Sequence, residues 1–132
     1  MIVTAYQDIF NTCRDLAIDL VGIDNVYDYL PPKGVKYPFI YIGMQQHVED
    51  TWKNKDFIYP TIYQQIYIYT DDPNKRGSIT RLAAEFIDRI RKSKQGDYFS
   101  YKFLNIGYTL MEDNTAEIPL LQARINIELK AY

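Results

Sequence analysis

The stretch Ile62-Tyr63-Gln64-Gln65-Ile66-Tyr67-Ile68-Tyr69-Thr70, IYQQIYIYT, decides the fold. It alternates with period two: Ile62, Ile66 and Ile68 fall on one face, and Tyr63, Gln65, Tyr67 and Tyr69 on the other. That is the pattern of a strand with one side on a core. A two-layer fold leaves the second face to water, so a ladder of tyrosines there needs an account of its own.

Four further segments alternate in the same way. VYDYL (26–30), YPFIYIGMQQHV (37–48), YKFLNIGYTLME (101–112) and IPLLQARINIELKA (118–131) join PTIYQQIYIYT (60–70) as predicted strands, separated by Pro-Pro-Lys-Gly, by a polar stretch around EDTWKNKD and by Glu-Asp-Asn-Thr. Two segments carry the helical period instead. From Thr4 to about Leu20, the residues Tyr6, Ile9, Phe10, Cys13, Leu16, Ala17 and Leu20 form an apolar stripe, with Gln7, Asp8, Asn11, Arg14, Asp15 and Asp19 on the remaining face. Thr4 and Gln7 have the spacing of a capping box, and Gly22 suits the stop. From about Ser78 to Ser93, the residues Ile79, Leu82, Ala83, Phe86, Ile87 and Ile90 form the second stripe, while Glu85 with Arg89 and Asp88 with Lys92 are spaced as solvent-side ion pairs.

Helix, about three strands, helix and a closing strand pair predict one α+β domain over residues 1–132. Its mostly antiparallel sheet has about four to five strands, and both helices pack on one face. The core face is expected to hold Ile40, Ile42, Met44, Ile62, Ile66, Ile68, Leu104, Ile106, Leu110, Leu121, Ala123, Ile125, Ile127 and Leu129. The opposite face then holds Phe39, Tyr41, Tyr63, Gln65, Tyr67, Tyr69, Tyr101, Phe103, Gln122, Arg124, Asn126 and Glu128. Two readings of that face stand side by side: cross-strand aromatic pairing on a solvated surface, or a protein interface rich in Tyr and Arg.

Composition narrows the function. A chain of 132 residues can bury enough surface to fold without disulfides or metal, and its formal net charge of −2 implies no general affinity for nucleic acid or anionic membrane. The single cysteine permits no internal disulfide, and no Cys/His spacing suits zinc. The N-terminus reads as neither signal peptide nor membrane span, which points to synthesis in the cytoplasm.

Nothing in the chain assembles a catalytic set. His47, the one histidine, reads as a solvated strand-end residue, and Cys13 lies on an apolar stripe where a thiol acts as a small hydrophobe. The acidic doublets Glu49-Asp50, Asp71-Asp72 and Glu112-Asp113 sit at strand ends or turns, where such residues serve the backbone. The glycines follow neither a Walker nor a dinucleotide pattern. In EDTWKNKDF, Lys53 and Lys55 follow Trp52, but Glu49, Asp50 and Asp56 cancel the field that single-stranded nucleic acid would need. This loop is long for a hairpin, and with the aromatic face it describes an assembly component better than an enzyme.

An N-terminal helix precedes VYDYLPPKGVKYPFIYIG, in which a Pro-Gly turn leads into a Tyr-Pro-Phe strand, and then TWKNKD, a tryptophan followed by basic residues. An aliphatic strand ending in Thr70-Asp71-Asp72, an amphipathic helix and a closing strand pair complete the order. This arrangement resembles the tail-terminator, or tail-completion, family of long-tailed bacteriophages over essentially the whole chain, by order and spacing rather than by a diagnostic motif. The resemblance implies a non-enzymatic virion protein that needs no cofactor, forms a homo-oligomeric ring, as a hexamer, and caps the tail tube. Such a ring stops tube polymerisation and joins the tube to head-completion or connector proteins, with DNA passing through the lumen without specific binding. Assembly would take place in the bacterial cytoplasm and the final location would be the head–tail interface of the virion. Candidate contact residues are Tyr41, Tyr63, Gln65, Tyr67 and Tyr69 on the sheet face, and Glu49, Asp50, Trp52, Lys53, Lys55 and Asp56 in the loop. Other readings of the same features are another head–tail connector part, a tail-tube subunit, a non-phage interaction module using the tyrosine face, and a small enzyme with a pocket between helices and sheet.

Overall fold

The computed structural model describes residues 4–29, 31, 35–48, 61–72, 74, 76–113 and 120–132. Helix α1 spans Ala5–Val21 and starts where Thr4 Oγ1 accepts the Gln7 N–H at 3.2 Å. The Gln7 side chain donates to Asn11 Oδ1 at 2.9 Å instead of reaching back to Thr4, so only half of the expected capping box forms. Gly22 ends the helix at φ +90°, a backbone region that side chains with a Cβ avoid. A 3-10 turn at Ile23–Asn25 leads into β1, Val26–Tyr27, shorter than the VYDYL strand the sequence predicts.

The remaining elements are β2 (Phe39–Val48), β3 (Thr61–Thr70), α2 (Arg76–Lys92), β4 (Tyr101–Asp113) and β5 (Leu120–Ala131). On α2 the two anticipated ion pairs are present, Arg89–Glu85 at 3.2 Å and Lys92–Asp88 at 2.9 Å. They are exposed, so each contributes only about 0.3–0.5 kcal/mol.

The strands form one five-stranded sheet in the order β1-β2-β3-β5-β4, antiparallel throughout except for the short parallel pair β1–β2. Both helices lie on one face, as expected: α1 packs over β1 and β2, and α2 over β3, β5 and β4. Between the layers, Ile40, Ile42, Ile62, Ile66, Ile68, Ile125, Ile127 and Leu129 meet Ile9, Cys13 and Ala17 of α1 and Ile79, Ala83, Phe86 and Ile90 of α2, all buried. Each such Ile, Leu or Phe side chain contributes about 1.5–3 kcal/mol by leaving water. The interlocking of helix period and strand period therefore holds the fold together.

Two irregularities change the expected face assignments. In β4 the register with β5 shifts between Phe103 and Asn105, so one residue is added to the alternation. Tyr101 pairs with Ala131 and Phe103 with Leu129, which places both on the core face rather than the outer one; Tyr101 is buried. Leu104, expected in the core, occupies the shift and is 44% exposed. In β2 a second shift between Ile42 and Gln45 takes Met44 out of the regular alternation and sets Gln45 opposite Gln64.

Gln64 is thus a fully buried amide on the isoleucine face. Its Nε2 donates to the Gly43 carbonyl at 3.1 Å and to the Gln65 carbonyl at 3.0 Å, and Gln45 Nε2 donates to the Tyr6 carbonyl at 2.9 Å. The Gly43 carbonyl lies at the irregularity, where the Gln64 amide supplies it with a partner, while the Gln45 amide ties β2 to the first turn of α1.

Candidate interaction surface

On the face away from the helices, the register builds rows of side chains across four strands. Tyr41, Tyr67, Arg124 and Thr109 form the central row. The Tyr41 and Tyr67 rings meet edge to face with centroids 5.5 Å apart, and the Arg124 guanidinium lies 5.3 Å from the Tyr67 centroid. Such cation–π packing fixes the arginine where a free side chain would wander. Among the described residues the buried Arg124 Nε has no hydrogen-bond partner, so the guanidinium is held by ring packing rather than by an acceptor.

Toward one end of the sheet the face becomes polar. The Tyr67 hydroxyl donates to Gln65 Oε1, and the Tyr63 hydroxyl donates to Glu128 Oε1 at 3.1 Å. Gln46, Tyr63, Gln65, Asn105, Asn126 and Glu128 rim an open cleft of about 310 Å³. Toward the other end it turns inward: Phe39 stacks on Tyr69 at 4.8 Å, Tyr27 meets Phe39 edge-on at 5.7 Å, and Gln122 Nε2 donates to the Tyr69 hydroxyl at 2.7 Å. Phe39, Tyr69 and Gln122 are consequently buried within the chain.

The five sheet candidates therefore lie together but not in equal standing. Tyr63 is exposed, Tyr41, Gln65 and Tyr67 are half-buried, and Tyr69 is packed into the aromatic cluster. Glu49, Asp50, Trp52, Lys53, Lys55 and Asp56 lie outside the described residues. Alternation places Arg124 on this face, but it is not among the candidate contact residues, because its position beside Tyr67 depends on a pairing between strands that alternation alone does not specify.

Gly43 shapes the same surface. A Cβ there would meet Tyr67 Cε2 at 2.3 Å, so only glycine lets the Tyr67 ring lie against the β2 backbone.

Elsewhere, the titratable groups serve the fold. Asp8, assigned by periodicity to the solvent side of α1, is buried; its carboxylate accepts the N–H of Tyr98 at 3.2 Å, the N–H of Phe99 at 3.3 Å and the Tyr101 hydroxyl at 2.5 Å. The segment leading from α2 into β4 crosses the start of α1 and presents donors to it. Burial, then the bond to Asp8, push the Tyr101 phenol well above its ordinary range. Burial pushes the Cys13 thiol up to about 12, in keeping with a small apolar role. Asp72 Oδ1 accepts the Asn74 N–H at 2.9 Å, a turn contact. His47 pairs with Ile62 in the ladder, and its side chain falls outside those described. Among the described residues no cluster of three metal-ligating side chains forms, and no helix is long and apolar enough to cross a membrane.

The surface that results can bind through ring faces, amides and one guanidinium. No family model matches the sequence, and no match was found among curated proteins. Among solved structures, the chain is similar to one from the virion of a native gene transfer agent particle, with a TM-score of 0.69 and 14% sequence identity over 98% of this chain and 99% of that one. At that identity the likeness establishes a shared fold over the full length of both chains.

Proposed function

We propose that this protein is a structural component of a phage-like virion, with the role of a tail terminator: a ring of six copies seated on the tail tube, ending tube growth and receiving the head connector. The observation that carries this reading is the end-to-end fold likeness to a virion chain, 98% of one and 99% of the other. The order of elements resembling the terminator family supports the finer role. So does the outer sheet face, where Arg124 is held against the Tyr67 ring among further tyrosines.

The work is selective binding without covalent chemistry. Tyr41, Tyr63, Gln65 and Tyr67 with Arg124 form the contact face, and a partner contributing a carboxylate or a backbone carbonyl satisfies the arginine. Tyr and Arg are the residues most often found to anchor such contacts. The segment carrying Glu49, Asp50, Trp52, Lys53, Lys55 and Asp56 is assigned to the tube or connector, and DNA passes through the lumen without being gripped. The location is the head–tail junction of the virion.

The test is light scattering of the purified chain over a concentration series, alone and with tail tubes of its own particle. Ring-sized mass, or monomer that forms caps on tubes, is the expected result, and Arg124→Met or Tyr63→Ala should weaken capping roughly tenfold or more while leaving the fold intact. A strict monomer indifferent to tubes overturns the reading.

A further inference from the structure

We infer that copies of this chain associate head to tail through two segments at opposite edges of the sheet, the acidic turn at 23–29 of one copy entering the basic groove between α2 and β4 of the next. The inference rests on the ring reading in one respect, that identical copies meet one another through unlike surfaces.

The groove is about 540 Å³, with Phe103 and Ile106 on its floor and Arg91, Lys94 and Lys102 on its rim. It exists because β4 is an edge strand, so α2 covers the rows nearer the sheet centre and leaves this margin of the core face partly open. An apolar floor with three cations around it suits a segment that is apolar and acidic together.

The opposite edge carries one. At Ile23-Asp24-Asn25-Val26-Tyr27-Asp28-Tyr29, Ile23 is 62% and Tyr29 60% exposed, large apolar areas for a short turn, and both aspartates are exposed beside them. Among the described residues, none of Asp24, Asp28, Arg91, Lys94 and Lys102 is in a salt bridge. Two complementary sets of unengaged charge thus sit on one molecule, one at each end of the strand order.

The turn and the groove lie at opposite edges of the sheet, so a two-fold axis cannot bring both turn–groove pairs of two copies together at once, and the contact runs head to tail. Repetition of such a contact closes a ring if the rotation per copy allows. A second copy is therefore the occupant that the charge distribution favours.

A charge exchange tests this. One variant carries Asp24→Lys and Asp28→Lys; the other carries Arg91→Glu and Lys102→Glu. All four positions are exposed, and thermal melting checks that both variants fold. By light scattering, with tubes present as nucleators, each variant alone should associate roughly 10- to 100-fold more weakly than the parent chain. An equal mixture should regain assembly, since each reversed turn then meets a reversed groove and a ring with an even number of copies can alternate them. If the parent assembles and both single variants assemble as well as it does, or if the mixture stays dissociated, the head-to-tail contact is overturned while the ring reading stands. If the parent itself never assembles, with or without tubes, both readings fall.

Discussion

The carboxylate of Asp8 and the hydroxyl of Tyr101 lie 2.5 Å apart in the buried interior, although 93 residues separate them in the chain. Thr12 Oγ1, one turn further along α1, is 3.2 Å from the same hydroxyl. Together with the N–H groups of Tyr98 and Phe99, this contact ties α1 to the segment that begins β4. Replacing Asp8 by Ala leaves three donors without a partner and should cost about 3 kcal/mol or more, whereas Tyr101→Phe leaves the two backbone donors served and should cost about 1–2 kcal/mol. Urea unfolding of the two variants measures the difference, and equal losses would contradict the assignment.

Gly96 belongs to the same arrangement. A Cβ at this position would come within 2.1 Å of both Asp8 Oδ2 and the Tyr101 hydroxyl oxygen. Gly96→Ala should therefore destabilise by about 1–3 kcal/mol. Gly77→Ala is the control: no atom would lie within 4 Å of the new Cβ in the first turns of α2, and the change should stabilise by about 0.5–1 kcal/mol. Melting temperatures moving in opposite directions confirm the pair.

Gly43→Ala is expected to act on the outer face before it acts on stability. The added methyl displaces the Tyr67 ring, and with it the surface against which Arg124 rests. A variant that folds, with an altered tyrosine near-ultraviolet signal and capping lowered by at least about tenfold, fits this account; unchanged capping would show that the Tyr67–Arg124 geometry is not used.

Alkaline pH should weaken the fold through Cys13. The folded chain holds this thiol protonated up to about 12, against 9.0 for the free group. Above pH 9 the unfolded chain loses a proton that the folded chain keeps, so stability present below that pH falls by about 1.4 kcal/mol per pH unit as pH rises toward 12. Tyr101, whose phenol is also raised, adds to the loss above its ordinary range. Cys13→Ala should flatten the decline between pH 9 and 10, as measured by denaturant titration at stepped pH, and an unchanged slope would exclude the thiol as its source.

Much of the architecture is legible in the alternation of Ile62 to Tyr69 and in the stripes Ile9-Cys13-Ala17 and Ile79-Ala83-Phe86-Ile90, because a period of two or of 3.6 is a local property of the chain. The displaced residues are those where a second strand decides. In YKFLNIGYTL the apolar positions change parity between Phe103 and Ile106, a visible trace of the added residue, with Leu104 left over between them. The β2 irregularity left a fainter trace, a glycine at 43 inside a strand. Asp8 gave no sign at all, since the donors that bury it arrive from residues 98 to 101.

The chain by itself determined two amphipathic helices, an alternating sheet and a face rich in tyrosine, all of which follow from the spacing of apolar side chains along a few consecutive turns or pleats. Tertiary structure decided which of those tyrosines are buried, that Arg124 stands beside Tyr67, and that an acidic turn and a basic groove occupy opposite edges. Those relationships depend on strand order and register, which are fixed by the free energy of the whole packed sheet rather than by any one segment of it.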